Sequence, residues 1–199
     1  MKIEEYLSTL PQSILSGEEI QIPPDSIREI FRLVDLGTND TFYHLGCGDG
    51  KSLSIARQEF NVKDAVGIDN SKKMIDIAKK KIKEENVTNA KLIEQDILNA
   101  ELDNADVILC WFMDVEILEK MMDKFKKLRD DVRIITIWAP LPGCIPQKVD
   151  FPYIVNKTPF VETDDLKEQL LAVFETECIG FVTAWEYACL LYTSDAADE

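Results

Sequence analysis

Histidine is almost missing from this chain of 199 residues: there is one, His44. The five cysteines are unevenly spaced and contain no C-x-x-C pair. No metal site is legible from that set, and reduced thiols in a cytoplasmic setting are expected. Basic residues are also scarce, 22 against 37 acidic, for a net charge of −15. Phosphate backbones demand a basic surface, so naked nucleic acid is disfavoured and a lysine-rich protein or a small molecule is the expected partner. No secretory leader is read, and no apolar run is long enough to span a bilayer, so no membrane partner is expected. A hydrophobic content of 46% does support a folded domain with a real core.

The organising stretch runs from Thr41 to Ser52. Thr41–Leu45 reads as a short strand, and Leu53, Ile55, Ala56 and Phe60 recur with helical spacing. Between them Gly46, Gly48 and Gly50 alternate. Such a turn lets a ligand approach bare backbone at a helix N-terminus. A P-loop would need a glycine where Leu45 stands, and a dinucleotide fingerprint would need one at Lys51. What remains is G-x-G-x-G.

The run His44-Leu45-Gly46-Cys47-Gly48-Asp49-Gly50 resembles the first motif of class I S-adenosylmethionine (SAM) methyltransferases, [DE]-x-G-x-G-x-G. His44 departs from it by standing where the family has an acid that helps hold the methionine end of SAM. A strand-end histidine satisfied within the fold is the alternative reading of His44. The resemblance implies a Rossmann-like, doubly wound α/β fold and SAM as cofactor. Gly46, Cys47, Gly48 and Gly50 would line it.

Ala65–Asp69 reads as the second strand. Asp69 ends it, nineteen residues beyond Gly50, where a carboxylate can accept from ribose hydroxyls. A plain cap for the next helix is the alternative reading of Asp69; Asn70 and Ser71 can each do that capping instead, and Asn70 is also expected at the cofactor. Ala90–Ile97 reads as the third strand and its exit. By the resemblance Asp96 accepts from the adenine amino group and Ile97 covers the ring; a turn aspartate without a ligand is the alternative for Asp96. Ala105–Phe112 is the fourth strand, apolar enough to be central. Its exit, Cys110-Trp111-Phe112-Met113, lacks the [DN]-P-P-[YFW] of enzymes that methylate adenine or glutamine. Trp111 is expected at the cofactor or acceptor, or else in the core.

Val132–Trp138 is the fifth strand, followed by a stiff loop from Ala139 to Pro146 and an edge strand near Tyr153–Val155. A helix over residues 2–10, one from Asp25 or Ser26 to Leu36 ended by Gly37, one beginning after Asp114 and one from Thr163 complete the expectation. Cys178–Ala188 leans towards helix. Alternating strands and helices argue for a doubly wound sheet, with ligands outside the strands' carboxyl ends. The glycine turn, Asp69, Asp96, Trp111 and Trp138 fall on that edge.

Cys189–Glu199 resembles a translated sequencing adapter and is expected to be a non-native tail. One methyltransferase-like domain over residues 1–188 is therefore expected, with its SAM-binding core at about 37–140 and a truncated C-terminus. Tyr43–Lys51 and Phe60–Gly67 resemble compact archaeal protein-lysine methyltransferases, which implies lysine N-methylation. A small-molecule methyltransferase and a non-catalytic binding module are the competing readings.

Overall fold

Short β-branched runs between amphipathic segments build a mixed α/β fold. The computed structural model describes residues 21–111 and 115–174. Two compact units divide the chain between Trp111 and Phe112.

In the first unit, α1 (Pro24–Leu33) precedes β1 (Thr41–Leu45), α2 (Lys51–Gln58), β2 (Asp64–Asp69), α3 (Lys72–Glu84), β3 (Ala90–Glu94) and β4 (Val107–Cys110). The strand order is β3-β2-β1-β4, all parallel. β1 is buried along its whole length, as a central strand of a parallel sheet should be, and β4 is buried as well. Phe31 of α1 stands edge-on to Phe42 of β1 at 4.9 Å and to Phe60 at 5.2 Å. Arg28 adds a two-pronged bond to Glu59, 2.7 Å on each side.

Two expectations about α1 are corrected. Proline fixes φ and needs no N–H partner in a first turn, so the helix starts at Pro24, with Pro23 as its cap and no side-chain cap bond. Asp25 instead pairs with Arg28. At the far end Asp35, not Gly37, takes the left-handed conformation, with φ of 50°. Leu36 N–H then reaches back to Phe31 O at 2.9 Å, closing the helix as a left-handed C-terminal residue does.

The second unit holds α4 (Val115–Phe125), β5 (Arg133–Ile137), β6 (Cys144–Ile145), β7 (Lys148–Asp150), β8 (Tyr153–Lys157), β9 (Val161–Glu162) and α5 (Leu166–Phe174). Three of its strands lie in the order β5-β8-β7, both pairings antiparallel. The segment expected at an edge, β8, is thus flanked on both sides, and β7 is the edge. β6 and β9 form a separate two-stranded ribbon that the sequence reading left as loop. Buried Gln169 of α5 pins the loop after β5 by donating to Leu141 O and Cys144 O, each at 2.7 Å. The helices expected over 2–10 and 178–188, the exit Phe112–Asp114 and the tail 189–199 lie outside the described residues.

Gly67 in β2 has no room to grow. A Cβ there would stand 2.8 Å from Cys47 Sγ and 3.0 Å from Leu53 Cδ2. Overpacking of this kind costs about 1–3 kcal/mol. Gly67→Ala is therefore expected to lower unfolding free energy by that amount in urea titration, and an unchanged midpoint would contradict the packing described.

Candidate functional site

β1 runs straight out of the sheet at Leu45, so the chain must reverse at once to start α2. Gly46, Gly48 and Gly50 do this at φ of 78°, 53° and 75°, in the left-handed region that residues with a Cβ avoid. Each glycine meets something different. Gly46 faces open space, Gly48 lies under the carboxamide of Gln21, and a Cβ on Gly50 would stand 3.0 Å from Ala78 Cβ of α3. The turn therefore presents bare backbone outward at Gly46, Gln21 covers Gly48, and Gly50 lets α3 close in.

Asp69 holds this turn. Its Oδ2 accepts from Gly48 N at 2.9 Å and its Oδ1 from Ser71 N at 2.9 Å. Just before it in β2, Ile68 O accepts from Gly46 N at 2.8 Å and Cys47 N at 3.0 Å. A carboxylate has about four lone-pair sites, so Asp69 keeps two for a ligand while fixing the loop. Asp49 braces the outer side: Lys51 N donates to Oδ1 at 3.0 Å, and Lys81 of α3 pairs with Oδ2. Cys47 is buried, and burial with the nearby Asp69 charge pushes its thiol up to about 12. It is a packed, protonated side chain and not a nucleophile.

The other expected residues fall as follows. Asn70 is exposed beside Asp69. Asp96 is exposed and opens the 3-10 turn Ile97–Asn99, accepting from Leu98 N at 2.9 Å; Ile97 is half-buried. Gln95 N donates to Asp69 O at 3.0 Å, so the exits of β2 and β3 are joined. Trp111 follows Cys110, which is in register with Leu45. Its ring nitrogen is buried and has no hydrogen-bond partner. Trp138 belongs to the second unit, where it is 55% exposed.

His44 is buried within β1, and its Nδ1 shares a 2.6 Å hydrogen bond with Ser52 Oγ of α2. Burial pulls its pKa down to about 4, against a smaller opposing pull from Asp49. The ring is neutral at pH 7. The sequence reading missed Gln21 on Gly48 and the Asp49–Lys81 brace. An aspartate between two glycines at a helix start is a readable capping signal; nothing local announces Gln21. Among the described residues no cluster of histidine, cysteine and acids has a metal-binding arrangement, and no helix there is long and apolar enough to cross a membrane.

Comparison with known proteins gives a consistent picture. The family model of the ANTKMT methyltransferase domain matches residues 44–148, more than half of the chain. A curated protein-lysine N-methyltransferase of Saccharolobus islandicus (strain REY15A) is 26% identical over 131 residues, covering 65% of this chain and 81% of that protein. An RNA methyltransferase from Salinibacter ruber, solved with S-adenosyl-L-homocysteine, is similar with a TM-score of 0.67 at 21% identity, over 74% of this chain and 99% of that one. A SAM-dependent methyltransferase from Geobacter sulfurreducens, also solved with S-adenosyl-L-homocysteine, gives 0.53 at 19% identity, over 68% of this chain and 59% of that one. At these identities the two structures speak for the fold.

The depressed His44 pKa sets a pH window. The unfolded ring titrates near 6.5, so between pH 6.5 and 4 the unfolded chain binds a proton that the folded chain does not. This contribution is complete above pH 6.5 and falls away as the pH drops. Going from pH 6.5 to 5 should cost about 2 kcal/mol of unfolding free energy. Urea titrations across that range should show the slope in the native protein and a flatter one in His44→Asn. Equal slopes would mean that the ring is not buried neutral.

Proposed function

The chain belongs to the ANTKMT methyltransferase domain family, and from that premise we propose that it transfers the methyl group of SAM to a lysine of a protein substrate. Membership of this family makes the chain a SAM-dependent methyltransferase. The Asp69 carboxylate carries the cofactor assignment. It is held by Gly48 N–H and Ser71 N–H with acceptor capacity to spare for two ribose hydroxyls, the role of an acid at this point of a doubly wound sheet. Open space over Gly46 leaves room for the amino-acid end, bordered by Cys47 and Asn70. Gly48 itself is covered by the carboxamide of Gln21. Asp96 would accept from the adenine amine, and Ile97 would cover the base. Trp111, with its unpaired ring N–H, would line the methyl-bearing side. His44 would support the turn from behind through Ser52.

Bound SAM supplies a methyl group already activated by its sulfonium. The chain's residues are then left to orient a neutral amine and to exclude water, and no general base is assigned. The lysine reading is supported by the 26% identical relative, itself a protein-lysine N-methyltransferase, and by the net charge of −15, which attracts lysine-rich chains and repels RNA. We read residues 1–188 as one methyltransferase domain and the cytoplasm as its compartment.

Two measurements test this. Calorimetric titration should detect SAM binding, and Asp69→Ala should weaken it by about tenfold to a hundredfold, the worth of one or two charge-assisted hydrogen bonds. Unchanged affinity in a folded variant would misplace the cofactor. Radiolabelled SAM added to a cell extract should then mark protein at lysine; label confined to small molecules or RNA would remove the lysine assignment.

A further inference from the structure

We propose that Trp138 and Phe151 form an aromatic platform on which a lysine-rich polypeptide lies, a docking surface that rests on the lysine reading for its choice of ligand. Both rings belong to the second unit. Trp138 is 55% exposed and Phe151 48%. They stand edge-to-face, 5.4 Å apart at 87°, and Phe151 in turn meets Phe174 of α5 at 5.3 Å. Large aromatic rings displayed together are uncommon on a monomer's surface and mark contact sites.

The display is built, not incidental. Trp138 leaves β5 at φ of 73°, a conformation that a bulky residue adopts only where its surroundings over-determine it. Its N–H is fixed by a 2.8 Å bond to Pro152 O, and the loop that follows is pinned by Gln169. The backbone is thus held in a disfavoured geometry while the ring remains in solvent.

Charge chooses the occupant. A second copy of this chain carries the same −15, so like charge opposes self-association through this face, and a nucleic acid is opposed equally. A lysine-rich chain is attracted. Its ammonium groups suit the negative faces of the rings and its aliphatic stems suit their apolar area. Asp150, next to Phe151 in the chain, is exposed and carries a carboxylate.

The test uses the full chain without cofactor and fluorescein-labelled oligolysine as probe, followed by anisotropy at 0.15 M salt. Trp138→Ala and Phe151→Ala leave the net charge unchanged, so non-specific attraction is the same in all three proteins. Each variant should bind oligolysine about fivefold to tenfold more weakly, with SAM affinity unchanged. Equal oligolysine affinity overturns the proposal. So does a native dimer that Trp138→Ala dissociates in sedimentation, since the occupant would then be a second copy. If Trp138→Ala does not fold, Phe151→Ala decides by the same criterion. Ring-dependent oligolysine binding in a protein that labels no lysine would keep the platform and remove the methylation reading. Lysine transfer with ring-independent binding would remove the platform alone.

Discussion

One carboxylate, that of Asp69, holds the glycine turn after β1 together. Three successive left-handed glycines make a loose turn, because glycine loses the most backbone entropy on ordering. The Asp69 bonds to Gly48 N and Ser71 N, with Ile68 O taking two further N–H groups, tie that turn to the exit of β2 and the start of α3. The same helix returns through Ala78 against Gly50 and Lys81 against Asp49. The turn is thus held by the chain's own groups on both sides, which offsets the ordering its glycines require.

That arrangement was readable in part because its signals are local. Alternating glycines after a β-branched run, and an acid at the next strand's end, are patterns within about thirty residues of each other. The strands β1 to β5 and β8 were equally legible from their apolar and β-branched runs. Long-range choices were not. β8 looks like an edge strand in sequence, and only its pairing with β7 moves it inward. The β6–β9 ribbon joins two-residue segments, too short for any periodicity to register. The end of α1 turned on Asp35 accepting a left-handed φ, which aspartate tolerates at modest cost and which a nearby glycine disguised.

Gln21 is the clearest case of information absent from local pattern. It lies twenty-seven residues before Gly48 in a Pro-led entry to α1, and nothing in Gln-Ile-Pro-Pro states what its side chain covers. The contact exists because α1 lies beside α2 and brings its N-terminal approach back to the turn. The glycine at 48 was legible; its neighbour depends on how two helices pack.

His44 shows how the fold resolves a conflict between motif and burial. The position is in the interior of a central strand's exit, with one polar partner, Ser52. A carboxylate in that setting would carry a charge out of water with a single hydroxyl for support, which is costly. A neutral imidazole satisfied by that hydroxyl is not, and the downward pKa shift expresses this preference. The substitution also removes a negative charge from a turn that already contains Asp49 and Asp69. Repulsion within the turn is thereby reduced while the backbone donors that shape it remain committed. The departure from the acidic motif is thus compatible with the same glycine geometry, because Asp69 and Ile68, not residue 44, fix the positions of the turn's N–H groups.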